Sequence, residues 1–119
     1  MAKKILIVDD NKDILDIVHE TLSYENFEVL ATSENHGIIE KVTGFNPDLI
    51  IIDYRLGNIN GGEICQQIKQ LPGFENLPVI IFSAYVNKPE DLFDYGCNAV
   101  IDKPFDLTEL IDKVNNLVN

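Results

Sequence analysis

The chain has 119 residues, 45% of them apolar and spread along its whole length, so a single domain with its own core is expected and disorder is not. No apolar run approaches the roughly 20 residues that cross a bilayer, and two acids close the short run in "MAKKILIVDD", which argues against a secretory leader or membrane insertion and for a cytoplasmic protein. A formal net charge of −11 repels phosphate backbones and argues against direct binding to nucleic acid.

In chain order, short apolar runs alternate with helical periodicity. "ILIV" (5–8), "FEVL" (27–30), "LIII" (49–52), "VIIF" (79–82) and "AVI" (99–101) read as strands. They are β-branched and continuous rather than alternating, the pattern of strands covered on both faces. Ile14, Val18 and Leu22 recur at helical spacing after Asn11, a suitable N-cap. Ile38, Ile39, Val42 and Phe45 form a second helical stripe, stopped near Gly44 and Pro47. Ile64, Cys65, Ile68 and Leu71 form a third, closed by Pro72–Gly73. "PEDLFDYG" (89–96) predicts a short fourth helix. Asp106 and Glu109 resemble a capping box opening the last helix, with Leu110, Ile111, Val114 and Leu117 on one face. The order βα, five times over, with right-handed crossovers predicts an α/β fold: a doubly wound parallel sheet with helices on both faces. Cys65 and Cys97 show no CxxC pattern and read as reduced, packed thiols. His19 and His36 have no metal-ligand spacing.

All strands of a parallel sheet end on one edge, where open α/β sheets bind ligands. The first strand runs into Asp9–Asp10, the third into Asp53, the fourth into Ser83, and the fifth into Asp102 and Lys103–Pro104. The second ends in "ATSE", without obvious chemistry, which suits an outer position. Two carboxylates about 4 Å apart repel by roughly 4 kcal/mol at an effective dielectric of 20, so a cluster of acids wants a cation. Oxygen ligands alone suit Mg²⁺, or the similar Mn²⁺. Acids, a divalent ion and a lysine together can neutralise a phosphoryl group, with a serine hydroxyl as hydrogen-bond donor. A carboxylate can itself be the nucleophile, forming an acyl phosphate. Taken singly, Asp9–Asp10 could merely start a helix and Ser83 could be an ordinary turn residue. Each element follows its own strand in register, and this joint pattern points to a site.

These segments, "ILIVDDN", "PDLIIIDYRLGNINGGE", "PVIIFSA" and "GCNAVIDKPF" in that order, resemble the receiver domain of two-component response regulators over essentially the whole chain. The resemblance implies a flavodoxin-like (βα)5 fold with strand order 2-1-3-4-5, and, as the chain ends shortly after the fifth helix, a single receiver domain over residues 1–119 with no output domain is expected. It implies that Asp53 accepts a phosphoryl group from a histidine kinase or a histidine phosphotransfer protein. Mg²⁺ would be held by Asp10 and Asp53 directly, by Asp9 through water, and by the backbone carbonyl of Arg55. Ser83 would be the switch hydroxyl and Lys103 the cation on the phosphoryl oxygens, with Lys103–Pro104 a cis peptide. Arg55 and Tyr85, two positions after Asp53 and Ser83, would tune the lifetime of the acyl phosphate. The implied protein is a bacterial signalling phosphoprotein rather than an enzyme, acting on a downstream protein target that the sequence does not name.

Three features depart from the family pattern, one being that Ser83 and Lys103 stand closer in sequence than usual with a short fourth helix between them. The aromatic residue usual three positions before the lysine is Val100, which removes the inward-swinging ring that accompanies the hydroxyl. Gly57 stands where proline is common, so the loop "LGNINGG" is expected to be mobile. An aspartate-dependent phosphohydrolase of the haloacid-dehalogenase type would want Asp-x-Asp where this chain has "VDDN", and a flavodoxin would want Ser/Thr and Gly there. A phosphorylation-independent interaction module on the same fold is the remaining alternative. Asp9, Asp10, Asp53, Ser83 and Lys103 all being present argues against it.

Overall fold

The computed structural model describes residues 2–84 and 91–118. The elements run β1 (Lys4–Val8), α1 (Lys12–Tyr24), β2 (Glu28–Thr32), α2 (Ile38–Phe45), β3 (Leu49–Asp53), β4 (Arg55–Leu56), β5 (Ile59–Asn60), α3 (Gly61–Lys69), β6 (Val79–Ser83), a 3₁₀ turn (Leu92–Tyr95), β7 (Ala99–Asp102) and α4 (Leu107–Val118). Five strands form one parallel sheet in the order β2-β1-β3-β6-β7. This is the expected 2-1-3-4-5 once the two short strands β4 and β5 are set aside.

The alternation of side chains across each strand divides the core in two. Leu6, Val8, Ile50, Ile52 and Ile81 pack with Ile38 and Val42 of α2 and Cys65 and Ile68 of α3. Ile5, Ile7, Leu49, Ile51, Ile80 and Phe82 pack with Leu15, Val18 and Leu22 of α1 and Leu110 and Val114 of α4. Both faces of β3 and β6 are therefore covered, and every residue of the two strands is buried. Continuous apolar runs follow from that, since each fully buried Ile or Leu contributes about 1.5–3 kcal/mol. The outer strand β2 is only partly buried, as its lack of chemistry suggested.

The caps follow the sequence at several points. Asn11 caps α1, its side chain accepting from the Ile14 N–H at 3.1 Å. The Asp106 carbonyl accepts from the Leu110 N–H at 3.2 Å, which puts Asp106 at the start of α4. Lys103–Pro104 is cis.

Three expectations need correction. The second strand covers 28–32 rather than 27–30, because Ala31 and Thr32 continue the pairing with Ile7 and Val8. The short fourth helix is a 3₁₀ turn over Leu92–Tyr95, with residues 89 and 90 outside the described region. Asp91 caps it by accepting from the Phe93 N–H at 3.0 Å, and Gly96 ends it at a φ of +94°, a left-handed conformation. The segment around Gly57 is a paired ribbon, with Arg55 opposite Asn60 and Leu56 opposite Ile59. Gly57 takes a φ of +62° as first central residue of the two-residue turn. Asn35 also ties the ribbon down, its Nδ2 donating to the Leu56 carbonyl at 3.1 Å.

Candidate functional site

Strand register brings the sequence-predicted residues to one edge. Val8 pairs with Ile52, so Asp9 and Asp53 leave adjacent strands at the same level. Asp53 pairs with Phe82, and Ser83 pairs with Asp102, which sets Lys103 just beyond the end of β7. Backbone bonds extend this alignment past the strands: the Asp9 N–H to the Thr32 carbonyl at 3.2 Å, Tyr54 to Phe82 at 2.8 Å and Lys103 to Ser83 at 2.8 Å.

Asp9 is 0% exposed, Asp53 7% and Ser83 1%, while Asp10 is exposed. Carboxylate oxygens of Asp9, Asp10 and Asp53 all lie within 4.8 Å of one another. Lys103 reaches into this cluster, its Nζ 2.8 Å from Asp9 Oδ2 and 3.5 Å from Asp53 Oδ1. Its ammonium also lies 5.7 Å from the centroid of the Phe82 ring, itself stacked on Phe105 at 4.8 Å. The other Asp9 oxygen, Oδ1, accepts from the Asn11 N–H at 2.9 Å. Asp9 thus has partners on both oxygens at the start of α1, where the helix dipole favours a negative charge.

The Asp53 carboxyl is pushed up from 3.8 to about 6, first by burial and then by the neighbouring Asp9, with Lys103 pulling it down and Asp10 adding to the rise. One ammonium does not balance three carboxylates. This excess of negative charge on oxygen ligands, partly open through Asp10, fits a divalent cation.

The remaining predicted positions are Arg55, Val100 and Tyr85. Arg55 is exposed and opens the β4–β5 ribbon two residues after Asp53. Val100 is half-buried in β7, opposite Ile81, and packs on the α2/α3 side of the core. Tyr85 lies outside the described residues.

Four residues around the Asp53 loop carry weight that the sequence reading did not assign. The Gly61 N–H donates to the Tyr54 carbonyl at 2.7 Å, and a Cβ on Gly61 would collide with the backbone carbonyl of Asp53. The first turn of α3 can therefore lie on the Asp53 backbone only because residue 61 has no side chain. Asn60 caps that helix, its Oδ1 accepting from Gly62 N at 2.7 Å and Glu63 N at 3.2 Å. Gly62 and Tyr95 complete the group, as the Tyr95 ring occupies the space a Gly62 side chain would take. Asn60 followed by Glu63 is a capping signature that could have located the start of α3. Nothing in the sequence pairs Tyr95 with Gly62.

Comparison with known proteins bears on the family and the fold. Residues 5–115 match the family of the response regulator receiver domain. The response regulator ArlR of Staphylococcus saprophyticus is 35% identical over 117 residues, which cover 97% of this chain and 52% of ArlR. The nisin biosynthesis regulatory protein NisR of Lactococcus lactis is 38% identical over 118 residues, covering 96% of this chain and 49% of NisR. The chain thus spans about half the length of these curated relatives. The crystal structure of the response regulator TrrA from Thermotoga maritima, in complex with Mg²⁺–BeF, matches with a TM-score of 0.84 at 29% identity, over 97% of this chain and 98% of TrrA. The phosphohydrolase and flavodoxin readings are set aside by these matches. A match that opens in β1 and closes in α4 takes in every strand of the main sheet, and the chain belongs to the receiver domains of two-component response regulators.

Proposed function

We propose that Asp53 is the phosphoacceptor and that the chain takes its phosphoryl group from a histidine kinase or a histidine phosphotransfer protein. The observation that carries the proposal is the position of the Asp53 carboxylate, at the sheet edge beside the Lys103 ammonium and two further acids. An Asp53 oxygen attacks phosphorus, a new P–O bond forms and the P–N bond of the donor phosphohistidine breaks. The electron pair of that bond stays on the imidazole nitrogen, and the Asp53 carboxylate becomes an acyl phosphate.

Asp10, Asp53 and the Arg55 carbonyl would hold Mg²⁺ (or Mn²⁺), with Asp9 contributing through water because its own oxygens already accept from Lys103 and Asn11. The ion, when bound, neutralises phosphoryl oxygens and favours the ionised, nucleophilic form of Asp53. The complex of TrrA with Mg²⁺–BeF supports a metal and a phosphoryl mimic in the same fold. Lys103 would move its charge from the carboxylates toward the phosphoryl oxygens, and the Ser83 hydroxyl would donate to one of them. Arg55, exposed beside the acceptor, would limit the approach of the water that hydrolyses the acyl phosphate. On this reading the chain turns over nothing except its own phosphorylation and dephosphorylation. The added charge shifts its conformational balance and thereby its contact with a downstream protein.

The test is intact mass after incubation with acetyl phosphate, with and without Mg²⁺, for the wild type and Asp53→Ala. One phosphoryl adduct that needs both Mg²⁺ and Asp53 is expected. No adduct on the folded protein would overturn the proposal in favour of the phosphorylation-independent module.

A further inference from the structure

Val100 stands where the family usually has an aromatic residue, and it cannot supply a ring to follow the state of the site. A different aromatic touches the phosphoacceptor loop. Tyr95, in the 3₁₀ turn between β6 and β7, lies over Gly62. Its ring centroid is 6.3 Å from that of Tyr54 at a 46° tilt. Its hydroxyl accepts from Asn60 Nδ2 at 3.2 Å.

Each of these partners is one step from Asp53. Tyr54 is the next residue, and its backbone is bonded to Phe82 on one side and Gly61 on the other. Gly62 follows the glycine that lies against the Asp53 carbonyl. Asn60 uses one amide group for both tasks: its Oδ1 caps α3 while its Nδ2 holds the Tyr95 hydroxyl. Any displacement of the α3 start relative to Asp53 therefore moves the cap and the Tyr95 donor together. Gly62 gives the ring its flat seat, and a side chain there would expel it.

We propose that Tyr95 is a positioning residue that couples the Asp53 site to the 3₁₀ turn Leu92–Tyr95, through its docking on Tyr54, Gly62 and Asn60. The proposal rests on Asp53 being the phosphoacceptor. A change of charge and hydrogen bonding at Asp53 alters how the start of α3 sits, and Tyr95 converts that into a change in the 3₁₀ turn. Coupling of this kind is reciprocal, so the docked ring also biases the site.

The test uses the full chain labelled with 3-fluorotyrosine, whose four tyrosines are assigned by single Tyr→Phe substitutions. Fluorine NMR spectra are recorded before and after modification with acetyl phosphate and Mg²⁺, with the adduct checked by intact mass. Tyr24 on α1, 86% exposed, serves as the internal reference. The expected result is a Tyr95 resonance that moves by more than its linewidth on modification, beside a stationary Tyr24, and that does not move in Asp53→Ala. Tyr95→Phe, which loses the Asn60 contact, should also change the rate of adduct formation at Asp53, as reciprocal coupling requires, and an unchanged rate overturns the coupling. An adduct on Asp53 with a stationary Tyr95 resonance overturns the coupling and leaves the phosphoacceptor reading intact. A shift that persists in Asp53→Ala also overturns it. Failure to form any adduct overturns the phosphoacceptor reading and the coupling with it.

Discussion

Asp53→Asn is expected to stabilise the chain at neutral pH in the absence of divalent metal. The folded state holds the Asp53 carboxyl at about 6, against an ordinary value of 3.8, chiefly because the group is buried and faces Asp9. A raised carboxyl means that the folded state binds more protons than the unfolded state between these two values. Stability therefore falls as pH rises from about 4 through about 6, and the loss is complete above that. At 1.36 kcal/mol per pKa unit, the interval corresponds to about 3 kcal/mol at most. The Asp53 side chain is 10% exposed, so little of that is screened by solvent, and about 2–3 kcal/mol is expected. Asparagine keeps the size and removes the charge. Urea unfolding without Mg²⁺ should show the variant more stable by that amount at pH 7.5, a midpoint rise of about 1–2 M if the slope is that of a small domain. Near pH 4 the two proteins should unfold at nearly the same urea concentration. Mg²⁺ should then raise the wild type by mass action and narrow the gap at pH 7.5. A variant no more stable than the wild type at pH 7.5 would show that attraction to Lys103 outweighs burial and acid repulsion, refuting the electrostatic account of the site.

Lys103→Met should do the opposite, because it leaves the fully buried Asp9 and its neighbours without their ammonium. A loss of about 2–4 kcal/mol in urea unfolding at pH 7.5 is expected, shrinking as the acids protonate at lower pH; a pH-independent loss would point to packing instead. Gly61→Ala should cost at least about 2 kcal/mol and lower the adduct yield at Asp53, since the new methyl meets backbone that cannot move aside without shifting the acceptor; wild-type stability and yield would remove Gly61 from the site. Burial pushes the thiols of Cys65 and Cys97 up to about 11. Both are free and buried, so a thiol reagent at pH 8 should react far more slowly with the native chain than with the chain unfolded in urea, where two thiols should titrate; equal rates would contradict the burial.

The five main strands were legible because each is a run of apolar residues long enough to be covered on both faces, and such runs have few other ways to be buried. Their shared direction then dictated that Asp9, Asp53, Ser83 and Lys103 meet at one edge, a consequence of topology that needs no coordinates. What surrounds Asp53 was less legible. "LGNINGG" reads as loop composition, and its backbone could pair only once Arg55 and Asn60 faced each other in space. Periodicity suggested a helix near "LFDY", but the capping Asp91 and Gly96 bound only one 3₁₀ turn. The order of the apolar runs by itself determined the sheet, its covering on both faces and the charge at its edge, because burial of apolar surface is additive along a strand and depends little on neighbours. The seating of Tyr95 on Gly62, and of Gly61 on the Asp53 carbonyl, was decided only by tertiary structure. Contacts between residues distant in sequence depend on how separate elements pack, and no local pattern encodes the space that a missing side chain leaves for a particular ring.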